Sequence, residues 1–586
     1  MTPAQRAQSS QQLSPLAVQI RKQIPLYRQA IYFSLITSLL VLAPTLFMLE
    51  VYDRVVNSRS TTTLIMLIIC VIGIYVVMEA LEVVRSKLMR QAGERVDAAL
   101  RSRLFDMAFE ANLRNIPGGT TQPFNDLRTV RDFIASPAIT AMMDAPASLI
   151  FLILVFIISP WLGMLALFGA VVQVMIGVRT EKKTLPVLTE ANKAAIDAQN
   201  YAGGVLRNAQ VISAMGMTAN IHQRWMKRQR KFLSLQAQAS DTAGANAAAS
   251  KFIQIMQTSV ILGASCWLTV KGMLMGGGGM MIVASTLGGR VLAPLAQVIA
   301  QWRTVVNARD AYQRLDSFLS AFPERAKTMT LPAPSGQLNV EGIVAGAPGN
   351  PVPILRGVTF AAAPGETIAL IGPSAAGKTT LARLLMGIWP AASGKVRLDG
   401  ADIFSWNKEE LGPHIGYLPQ NVELFDGTIA ENIARFGEVD LDKVREAAEL
   451  VGLTAVIDAL PEGYQSRIGE DGAFLSGGQR QRVGLARAIY GDPTFVLLDE
   501  PNSSLDEAGE QALLSMLLAL KQRRCTTLII THRTSVLPAA DKILLLRDGQ
   551  VAGFGPRDDI LNALKQAQLQ KTAQAIPPAT AVQGAA

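Results

Sequence analysis

The chain has 586 residues, 49% of them hydrophobic, with a mean hydropathy of +0.26 and a formal net charge of +9. This hydropathy exceeds that of most soluble enzymes, so membrane spans are expected and a purely soluble protein is disfavoured. The basic charge is typical of cytoplasmic membrane loops as well as of nucleic-acid binding, and we favour the former. The three cysteines form no C-x-x-C pair, which argues against a zinc site or a disulfide framework.

The N-terminal half begins with a polar, basic stretch followed by apolar runs. Residues 1–28 have no signal-peptide cleavage site before a short apolar core, which predicts a cytoplasmic lead-in. The uncharged run Ala30–Leu49 is long enough to cross a bilayer as a helix, and a second run covers 63–78. Further runs predict a fifth span at Phe252–Val270 and a sixth beginning near Met280.

The third and fourth spans must share a run that is short for two helices. Only 34 uncharged residues separate Asp144 from Arg179, whereas two spans need about 40. The third span is therefore predicted to begin near Ala138, with Asp144 inside the membrane or at its edge. Residues 29–318 are thus predicted to form an all-α membrane domain with six spans.

Two basic segments, at 85–131 and 179–251, separate spans two from three and four from five. Each charged side chain costs about 2.5 to 3.5 kcal/mol at the bilayer centre, so both segments are predicted to project into water as paired helices. By the positive-inside rule both chain termini are then cytoplasmic. The segments are candidates for transmitting motion to and from the next domain. The alternative is that they are solvated helical loops without such a role.

The composition changes after the last span. Proline, serine and glycine indicate a linker at 319–336. Short β-type runs then alternate with helical segments over 337–562, which predicts an α/β domain. Glutamine, alanine, threonine and proline dominate 563–586, and this tail is predicted to be disordered.

A phosphate-binding loop is predicted between the apolar run 368–371 and a helical pattern. The loop reads G-x-x-x-x-G-K-T, so successive backbone N–H groups and the positive end of a helix face one anion. Its lysine can reach the outer phosphates, and its threonine hydroxyl can bind Mg²⁺. The eight residues are Gly372, Pro373, Ser374, Ala375, Ala376, Gly377, Lys378 and Thr379.

A second part of the site is predicted where the apolar run 495–498 meets two carboxylates. A wholly apolar strand is typical of a buried parallel sheet. Its end would place Asp499 beside Mg²⁺ and Glu500 where it polarises a water for attack on the γ-phosphate. Upstream, residues 475–479 read L-S-G-G-Q, in which two glycines open a helix and create another anion site.

These motifs resemble the nucleotide-binding domain of ATP-binding cassette (ABC) transporters, with L-S-G-G-Q as the signature. The resemblance implies a type I exporter-like membrane domain followed by an α/β P-loop ATPase that uses ATP and Mg²⁺. Because one chain has one P-loop and one signature, it also implies a homodimer with two composite sites. The implied ATP contacts are the eight loop residues, Thr380, Gln420, Ser476, Gly477, Gly478, Gln479 and Asp506. The implied metal ligands are Thr379, Gln420 and Asp499, and the implied catalytic residues are Glu500, His532 and Lys378.

Two positions depart from that family pattern. Members commonly have an aromatic residue that stacks on adenine before the first core strand, but the matching region 344–349 has none. Many members have glycine at the position of Ala375. Alanine allows fewer backbone conformations there, but Lys378 and Thr379 are retained. Hydrolysis remains the interpretation because Glu500 and His532 are present.

Short matches across the membrane half resemble type I protein secretion ABC transporters. They lie at 51–55, 126–133, 144–146, 159–163, 208–217, 289–294 and Trp302. The resemblance implies ATP-driven export of an unfolded protein with a C-terminal secretion signal across the bacterial inner membrane, with this chain as the motor of a type I secretion system. The implied partners are a second copy, a membrane fusion protein, an outer-membrane channel protein, the secreted protein and membrane lipids, with no nucleic acid. A member with an N-terminal peptidase domain is disfavoured, because no Cys and His precede the first span.

Two charged residues are candidates for the translocation pathway. Arg290 is costly in lipid and is expected to face an aqueous path or a carboxylate, unless it snorkels to an interface. Asp144 is the second candidate. Two other functions are alternatives: an exporter of lipids or small hydrophobic molecules, and a non-catalytic ATP-gated regulator, against which Glu500 and His532 argue.

Overall fold

A computed structural model of the chain describes residues 14–114, 119–274, 277–321, 330–348, 352–469 and 472–574. The described residues up to 321 form one compact unit, apart from 113–114, and those from 330 onward form a second. Part of the predicted linker, residues 322–329, lies outside the described residues.

The described residues of the first unit are almost all helical. Six of its helical stretches are long and apolar enough to cross a membrane, as predicted: Ile24–Ser58, Thr61–Leu113, Gln122–Ile158, Pro160–Arg207, Thr218–Val270 and Gly278–Ala300. The helices are α1 Pro15–Lys22, α2 Ile24–Leu40, α3 Ala43–Glu50, a π-turn Val51–Val55, α4 Val56–Ser58, α5 Thr61–Leu113, α6 Gln122–Ile134, α7 Pro137–Ile158, α8 Pro160–Arg207, α9 Ala209–Ala214, α10 Thr218–Val270, α11 Gly277–Ala300 and α12 Trp302–Ala321.

Three of these helices are much longer than a bilayer is thick. Helices α5 and α10 each have 53 residues, and α8 has 48. At 1.5 Å per residue, 53 residues extend about 80 Å, more than twice the ~30 Å hydrocarbon core. Each basic segment therefore includes direct helical continuations of membrane spans. Helix α7 begins at Pro137, next to the predicted start, and Asp144 lies at the beginning of its third turn.

The second unit contains a six-stranded and a four-stranded sheet. Its strands are β1 Leu338–Ala345, β2 Leu355–Ala362, β3 Thr367–Ile371, β4 Ser393–Leu398, β5 Ala401–Asp402, β6 Ile415–Leu418, β7 Phe495–Asp499, β8 Thr526–Ile530, β9 Lys542–Arg547 and β10 Gln550–Pro556. The larger sheet has the order β10-β9-β3-β8-β7-β6, and all its pairings are parallel except that of β10 with β9. The smaller sheet has the order β2-β1-β4-β5 and is antiparallel.

The parallel sheet is covered by apolar residues on both faces. Strands β7 and β8 are buried at every position, as expected when helices pack on both sides. Separate clusters lie on the two faces, one including Leu497 and Leu528 and the other Leu498 and Ile529. The alternation of side chains along β7 and β8 explains this division.

The helices of the second unit connect and cover these strands. They are α13 Lys378–Leu385, α14 Lys408–Leu411, α15 Ile429–Ile433, α16 Leu441–Leu450, α17 Thr454–Asp458, α18 Gly477–Ile489, α19 Glu507–Gln522 and α20 Arg557–Gln574. Helix α20 passes the predicted domain end at 562, so the residues 563–574 of the predicted disordered tail are helical here. Ile560 and Leu561 pack against an apolar cluster on the sheet, which gives this helix a tertiary anchor that the composition does not reveal. Residues 575–586 lie outside the described residues.

Candidate nucleotide-binding site

The predicted site residues gather at one edge of the large sheet. The loop 372–377 follows β3, Glu500 follows β7, His532 follows β8 and Gln420 follows β6. Because these four strands are parallel, their carboxyl ends meet at the same edge, where α/β sheets bind ligands. Residues separated by 160 positions in sequence are thus brought to one place by sheet order.

The first and last glycines of the loop 372–377 are required by close contacts with neighbouring residues. A Cβ atom on Gly372 would lie 2.2 Å from the carbonyl oxygen of Leu546, and one on Gly377 would lie 2.7 Å from the Leu355 side chain. Gly377 also has a φ of +98° immediately before α13 begins. The loop therefore folds as a tight cradle that ends at a helix N-terminus, the geometry that binds phosphate.

Ala375 has a left-handed backbone, with a φ of +64°. This conformation is unfavourable by about 1 to 2 kcal/mol for an L-residue with a Cβ atom, whereas glycine has no such penalty. The structure thus shows the physical consequence of the departure noted in the sequence. Its loop neighbours Pro373 and Ser374 are exposed and Ala376 is buried.

The ammonium group of Lys378 lies inside the loop. Its Nζ donates to the carbonyl oxygens of Gly372 at 2.9 Å and Pro373 at 3.0 Å, and the residue is only 7% exposed. Burial lowers the pKa of Lys378, while the nearby carboxylates of Glu500 and Asp499 oppose that shift. The buried positive charge has no paired carboxylate within salt-bridge distance among the described residues, so it can receive a phosphate. Thr379 is half-buried and Thr380 is buried in the same first turn of α13.

Asp499 is a buried carboxylate with an unpaired oxygen. It is 2% exposed, and its Oδ2 has no hydrogen-bond partner among the described residues. Burial, and then the charge of Glu500, raises the pKa of Asp499 to about 6, while Lys378 and Arg383 oppose the shift. Leaving such an acceptor unpaired costs about 1 to 3 kcal/mol, and a cation bound by oxygen atoms would remove this cost.

Mg²⁺ fits this position by the chemistry of the side chains. It prefers oxygen ligands and usually binds one or two carboxylates together with waters and substrate phosphates. Asp499 supplies the carboxylate, and Thr379 and Gln420 are the predicted hydroxyl and amide ligands. No cluster of three or more His, Cys, Asp or Glu suited to a metal occurs among the described residues. A metal here would therefore depend on phosphate oxygens for part of its coordination.

Two side chains converge on the carboxylate of Glu500. The amide nitrogen of Gln420 lies 3.2 Å from Oε2, and Nε2 of His532 lies 3.5 Å from Oε1. Glu500 has a φ of +52°, and its backbone N–H donates to the carbonyl of Ile530 at 2.9 Å. A non-glycine residue with this backbone stores strain of the order found at functional sites, about 1 to 3 kcal/mol.

Gln481 supports this strained turn and was not singled out from the sequence. It is 3% exposed, and its Nε2 donates to the carbonyl oxygens of Pro501 at 3.1 Å and Glu500 at 3.4 Å. It lies two residues after the L-S-G-G-Q motif, on α18. In the sequence, Gln481 is marked only by its place in the run of polar residues after that motif. This position does not reveal that its side chain contacts backbone 20 residues away.

The signature residues form the beginning of α18 and contact each other. Ser476 caps the helix by accepting from the backbone N–H of Gln479 at 3.3 Å, and the Gln479 side chain accepts from the N–H of Ser476 at 2.8 Å. Gly477 and Gly478 form the first turn. Among the described residues, no hydrogen bond joins the side chains of Ser476 or Gln479 to the phosphate loop.

Asp506 caps the next helix, α19. Its carboxylate accepts from the N–H of Gly509 at 2.9 Å and from Arg482 at 2.6 Å. These bonds, the Gly509 bond first, lower the pKa of Asp506. The predicted ATP-contact residues therefore form two separate groups within the unit: the loop with Asp499, Glu500, Gln420 and His532, and the α18 start with Asp506.

The two predicted pathway residues lie in the first unit and line one cavity. Asp144 forms an ion pair with Arg85 at 2.6 Å, so it has a local partner that the sequence did not reveal. Arg290 lies on α11 and is exposed, with no ion pair to any described residue. Both side chains line a cavity of about 290 Å³.

Sequence and structure comparisons extend over both units. The ABC transporter family matches residues 355–503, and the ABC transporter transmembrane region matches 29–289. The chain is 37% identical over 537 residues to the type I secretion system ATP-binding protein PrsD of Rhizobium meliloti, covering 91% of this chain and 92% of that protein. It is 26% identical to the toxin RTX-I translocation ATP-binding protein of Actinobacillus pleuropneumoniae, and the match covers 93% of this chain and 77% of that protein.

A solved structure has the same fold along nearly the whole chain. It is a bacterial Atm1-family ABC exporter with ATP bound, and it matches with a TM-score of 0.80 at 22% identity, covering 96% of this chain and 99% of that chain. At this identity the match confirms the predicted architecture of a membrane domain followed by an ABC ATPase domain.

Proposed function

We propose that this chain, which belongs to the ABC transporter family, exports an unfolded protein in a type I secretion system. The chain is a multi-pass membrane ATPase whose hydrolysis of ATP is coupled to transport. The proposed passenger has a C-terminal secretion signal and leaves the cytoplasm in one step. The proposed location is the bacterial inner membrane, with both termini cytoplasmic.

The observation that supports this proposal most is the extent of one match. The 37% identity to a protein named as a type I secretion ATP-binding protein covers 91% of this chain, including its membrane region. An ATPase domain alone would not discriminate among transported molecules. The membrane region is the part that meets a passenger, so similarity there favours a protein over a lipid or drug.

The proposed chemistry follows from the groups at the sheet edge. The backbone N–H groups of loop 372–377 and the ammonium of Lys378 bind the phosphates and neutralise their charge. Mg²⁺, bound by Thr379, Gln420 and Asp499, would supply further charge neutralisation at the phosphate oxygens. Glu500 orients and deprotonates the attacking water, and Gln420 and His532 fix its carboxylate by the contacts at 3.2 and 3.5 Å.

The proposed active form is a homodimer. Ser476, Gly477, Gly478 and Gln479 start a helix whose N–H groups can bind an anion, yet they have no bond to the phosphate loop among the described residues of their own chain. A second copy would place this helix start over the ATP bound by the first. ATP binding then clamps two copies together and hydrolysis releases them, which is a two-state change driven by a ligand.

The proposed partners are a periplasmic membrane fusion protein, an outer-membrane channel protein and membrane lipids. A direct test compares the culture medium of cells that lack this chain and express either the unchanged protein or Glu500→Gln. We expect at least one protein to be absent from the medium with Glu500→Gln and present with Glu507→Gln, which alters an exposed glutamate on α19. An unchanged set of secreted proteins would contradict the proposal.

A further inference from the structure

A basic cavity lies between helices α8 and α10, in the second of the two basic segments. It has a volume of about 690 Å³, within the range of small-ligand pockets. Each helix contributes residues at intervals of three or four, so they share one helical face. Those of α8 are Glu190, Lys193, Ala194 and Asp197, and those of α10 are Arg224, Lys227, Arg228 and Lys231.

The lining of this cavity has an excess of positive charge. Five of its side chains are cations and two are carboxylates, which leaves three positive charges uncompensated. Asp197 accepts from the Nε of Arg228 at 3.1 Å, and Glu190 forms an ion pair with Lys231 at 3.4 Å. The guanidinium of Arg228 also lies over the ring of Tyr201, 4.2 Å from its centroid. Both carboxylates are therefore already paired within the cavity.

Three cations of the lining have no partner in the described part of the chain. Lys193, Arg224 and Lys227 form no hydrogen bond, ion pair or ring contact with a described residue. All three are exposed, so a ligand can reach them from solution. Arg224 and Lys227 each have a further cation four residues later, at 228 and 231, and like charges at this spacing disfavour a helix. An anion between α8 and α10 would relieve this repulsion.

The cavity lies too far along the helices for lipid headgroups to fill it. Val178 is the last uncharged residue of the span in α8, and Glu190 and Asp197 follow it by 12 and 19 residues. At 1.5 Å per residue, these positions lie about 18 and 28 Å beyond the span. Because the Debye length is about 8 Å at physiological ionic strength, the charge of a membrane surface is screened there. The ligand is therefore expected to be a soluble anion.

We propose that this cavity binds a soluble anion with two or more phosphate groups, held by Lys193, Arg224 and Lys227. A single carboxylate would leave two of the three cations unpaired, whereas linked phosphate groups supply several negative charges in one ligand. A guanidinium can bind two phosphate oxygens at once, and lysine ammonium groups act as point charges beside it. The site is separate from the phosphate loop, which lies in the other unit, and does not depend on which molecule the chain exports.

The test measures binding of tripolyphosphate to the purified full-length protein by calorimetry. Lys378→Met serves as the parent, because it weakens phosphate binding at the ATP site. We expect Arg224→Gln combined with Lys227→Gln to lower the affinity about tenfold or more, because two charges beside the anion are removed. Arg230→Gln combined with Lys251→Gln removes two exposed cations of the same helix that do not line the cavity. This control should stay within about twofold of the parent.

Two further ligands define what the cavity recognises. Inorganic phosphate, with one phosphate group, should bind at least about tenfold more weakly than tripolyphosphate. Inorganic polyphosphates and nucleotides share the proposed chemistry, and ATP in the same titration distinguishes them. Equal affinities would show that the phosphate groups alone are recognised, and tighter binding of ATP would show that the nucleoside adds contacts.

The absence of tripolyphosphate binding by the parent, or equal affinities of the two double variants, would overturn the inference. Tighter binding of an octaglutamate peptide than of tripolyphosphate, lost on the Arg224 and Lys227 changes, would assign the cavity to an acidic protein segment and also overturn it. Equally tight binding of inorganic phosphate would contradict the requirement for two or more phosphate groups. Secretion that depends on Glu500 is measured separately, so these outcomes leave the proposed export of a protein untouched.

Discussion

The side-chain amide of Gln420 lies 3.2 Å from the carboxylate of Glu500, although 80 residues separate them. The contact arises because β6 and β7 are parallel neighbours, so the residues that follow them share an edge of the sheet. His532 reaches the other oxygen of the same carboxylate from the end of β8. Glu500 is therefore the point on which the three strand ends converge.

Glu500→Gln should strongly slow ATP hydrolysis and keep nucleotide binding. An amide of the same shape preserves the contacts of the side chain but cannot accept the proton of a water, so we expect the rate to fall by about 10²- to 10⁴-fold. Steady-state ATPase assays and trapping of labelled ATP measure the two effects. Glu507→Gln is the matched control, and full activity of Glu500→Gln would show that another group is the base.

Gln481→Ala should lower the turnover number more than it affects nucleotide affinity. The substitution removes two hydrogen bonds to the backbone of Glu500 and Pro501, so the carboxylate loses its fixed position while the phosphate loop is untouched. We expect a fall of about tenfold in kcat with KM within about twofold. Gln481→Glu keeps one acceptor but no amide donor and should not rescue the loss. A change confined to KM would contradict this positioning role.

Asp499 should make the stability of the nucleotide-free protein depend on pH. The pKa of Asp499 is about 6 in the folded state, against 3.8 for an unperturbed aspartate. A raised pKa gives stability that is fully present below 3.8 and is lost as pH rises through about 6. In EDTA, Asp499→Asn should therefore raise the melting temperature at pH 7.5, where the loss approaches ~3 kcal/mol as an upper bound, and should change it less at pH 5.

Asp548→Asn alters an exposed aspartate of the same unit and serves as the control for the pH series. It should shift the melting temperature by a similar small amount at both pH values. Binding of Mg²⁺ and ATP needs the ionised Asp499, so their joint affinity should weaken below pH 6 in the unchanged protein. A melting difference for Asp499→Asn that is the same at pH 5 and 7.5 would contradict this account.

Arg435 should be a major determinant of stability in the second unit. Its guanidinium donates to the carbonyls of Gly412 at 2.8 Å, Ile415 and Arg487 at 3.0 Å, and Ala488 at 3.1 Å. Burial lowers its pKa to about 10. Arg435→Met leaves four carbonyl groups without this donor and should destabilise the unit by about 3 kcal/mol or more.

Thermal unfolding of the full-length protein measures the effect of Arg435→Met. Arg445→Met, which removes an exposed ion pair to Asp442, is the control and should cost less than about 1 kcal/mol. Arg435→Lys should recover only part of the loss, because one ammonium cannot reproduce the planar set of donors. Equal melting temperatures for the two methionine variants would contradict the structural role of Arg435.

Mixing two inactive variants should restore activity if the site is shared between copies. Lys378→Met disables the phosphate loop, and Ser476→Arg disables the start of α18. In a 1:1 mixture half of the dimers are mixed, and each has one intact composite site, so we expect up to about a quarter of full ATPase activity. The measurement requires co-expression with two different tags. Activity no higher than that of either variant alone would contradict the shared site.

The sequence predicted the sheet-edge site because its motifs report local structure. The glycines at 372 and 377 predict a tight turn before a helix, and both have close contacts that exclude a side chain. The apolar run ending in Asp499 predicts a buried strand, and β7 is buried throughout. The motifs that predict these features are each contained within ten residues, although the groups that exclude a side chain at the two glycines, Leu546 and Leu355, lie further away in the sequence.

Features that depend on distant partners could not be predicted in the same way. Asp144 was identified as a costly charge, but its partner Arg85 lies 59 residues earlier, on another helix. Gln481 and Arg435 act through backbone carbonyls, which every residue has, so composition cannot identify their partners. Helix α20 extends to Gln574, past the predicted domain end at 562, and its packing against the sheet through Ile560 and Leu561 is a tertiary contact that composition does not reveal.

The measurement that most directly tests protein export is a cross-link and pull-down of full-length Glu500→Gln from its own bacterium, followed by mass spectrometry. We expect a periplasmic adaptor and a soluble protein to be recovered, with cross-links confined to the C-terminal region of that protein. The same protein should be missing from the medium of Glu500→Gln cells and should not be enriched with Glu507→Gln. Recovery of lipids or small molecules alone would contradict protein export and favour a lipid or drug exporter.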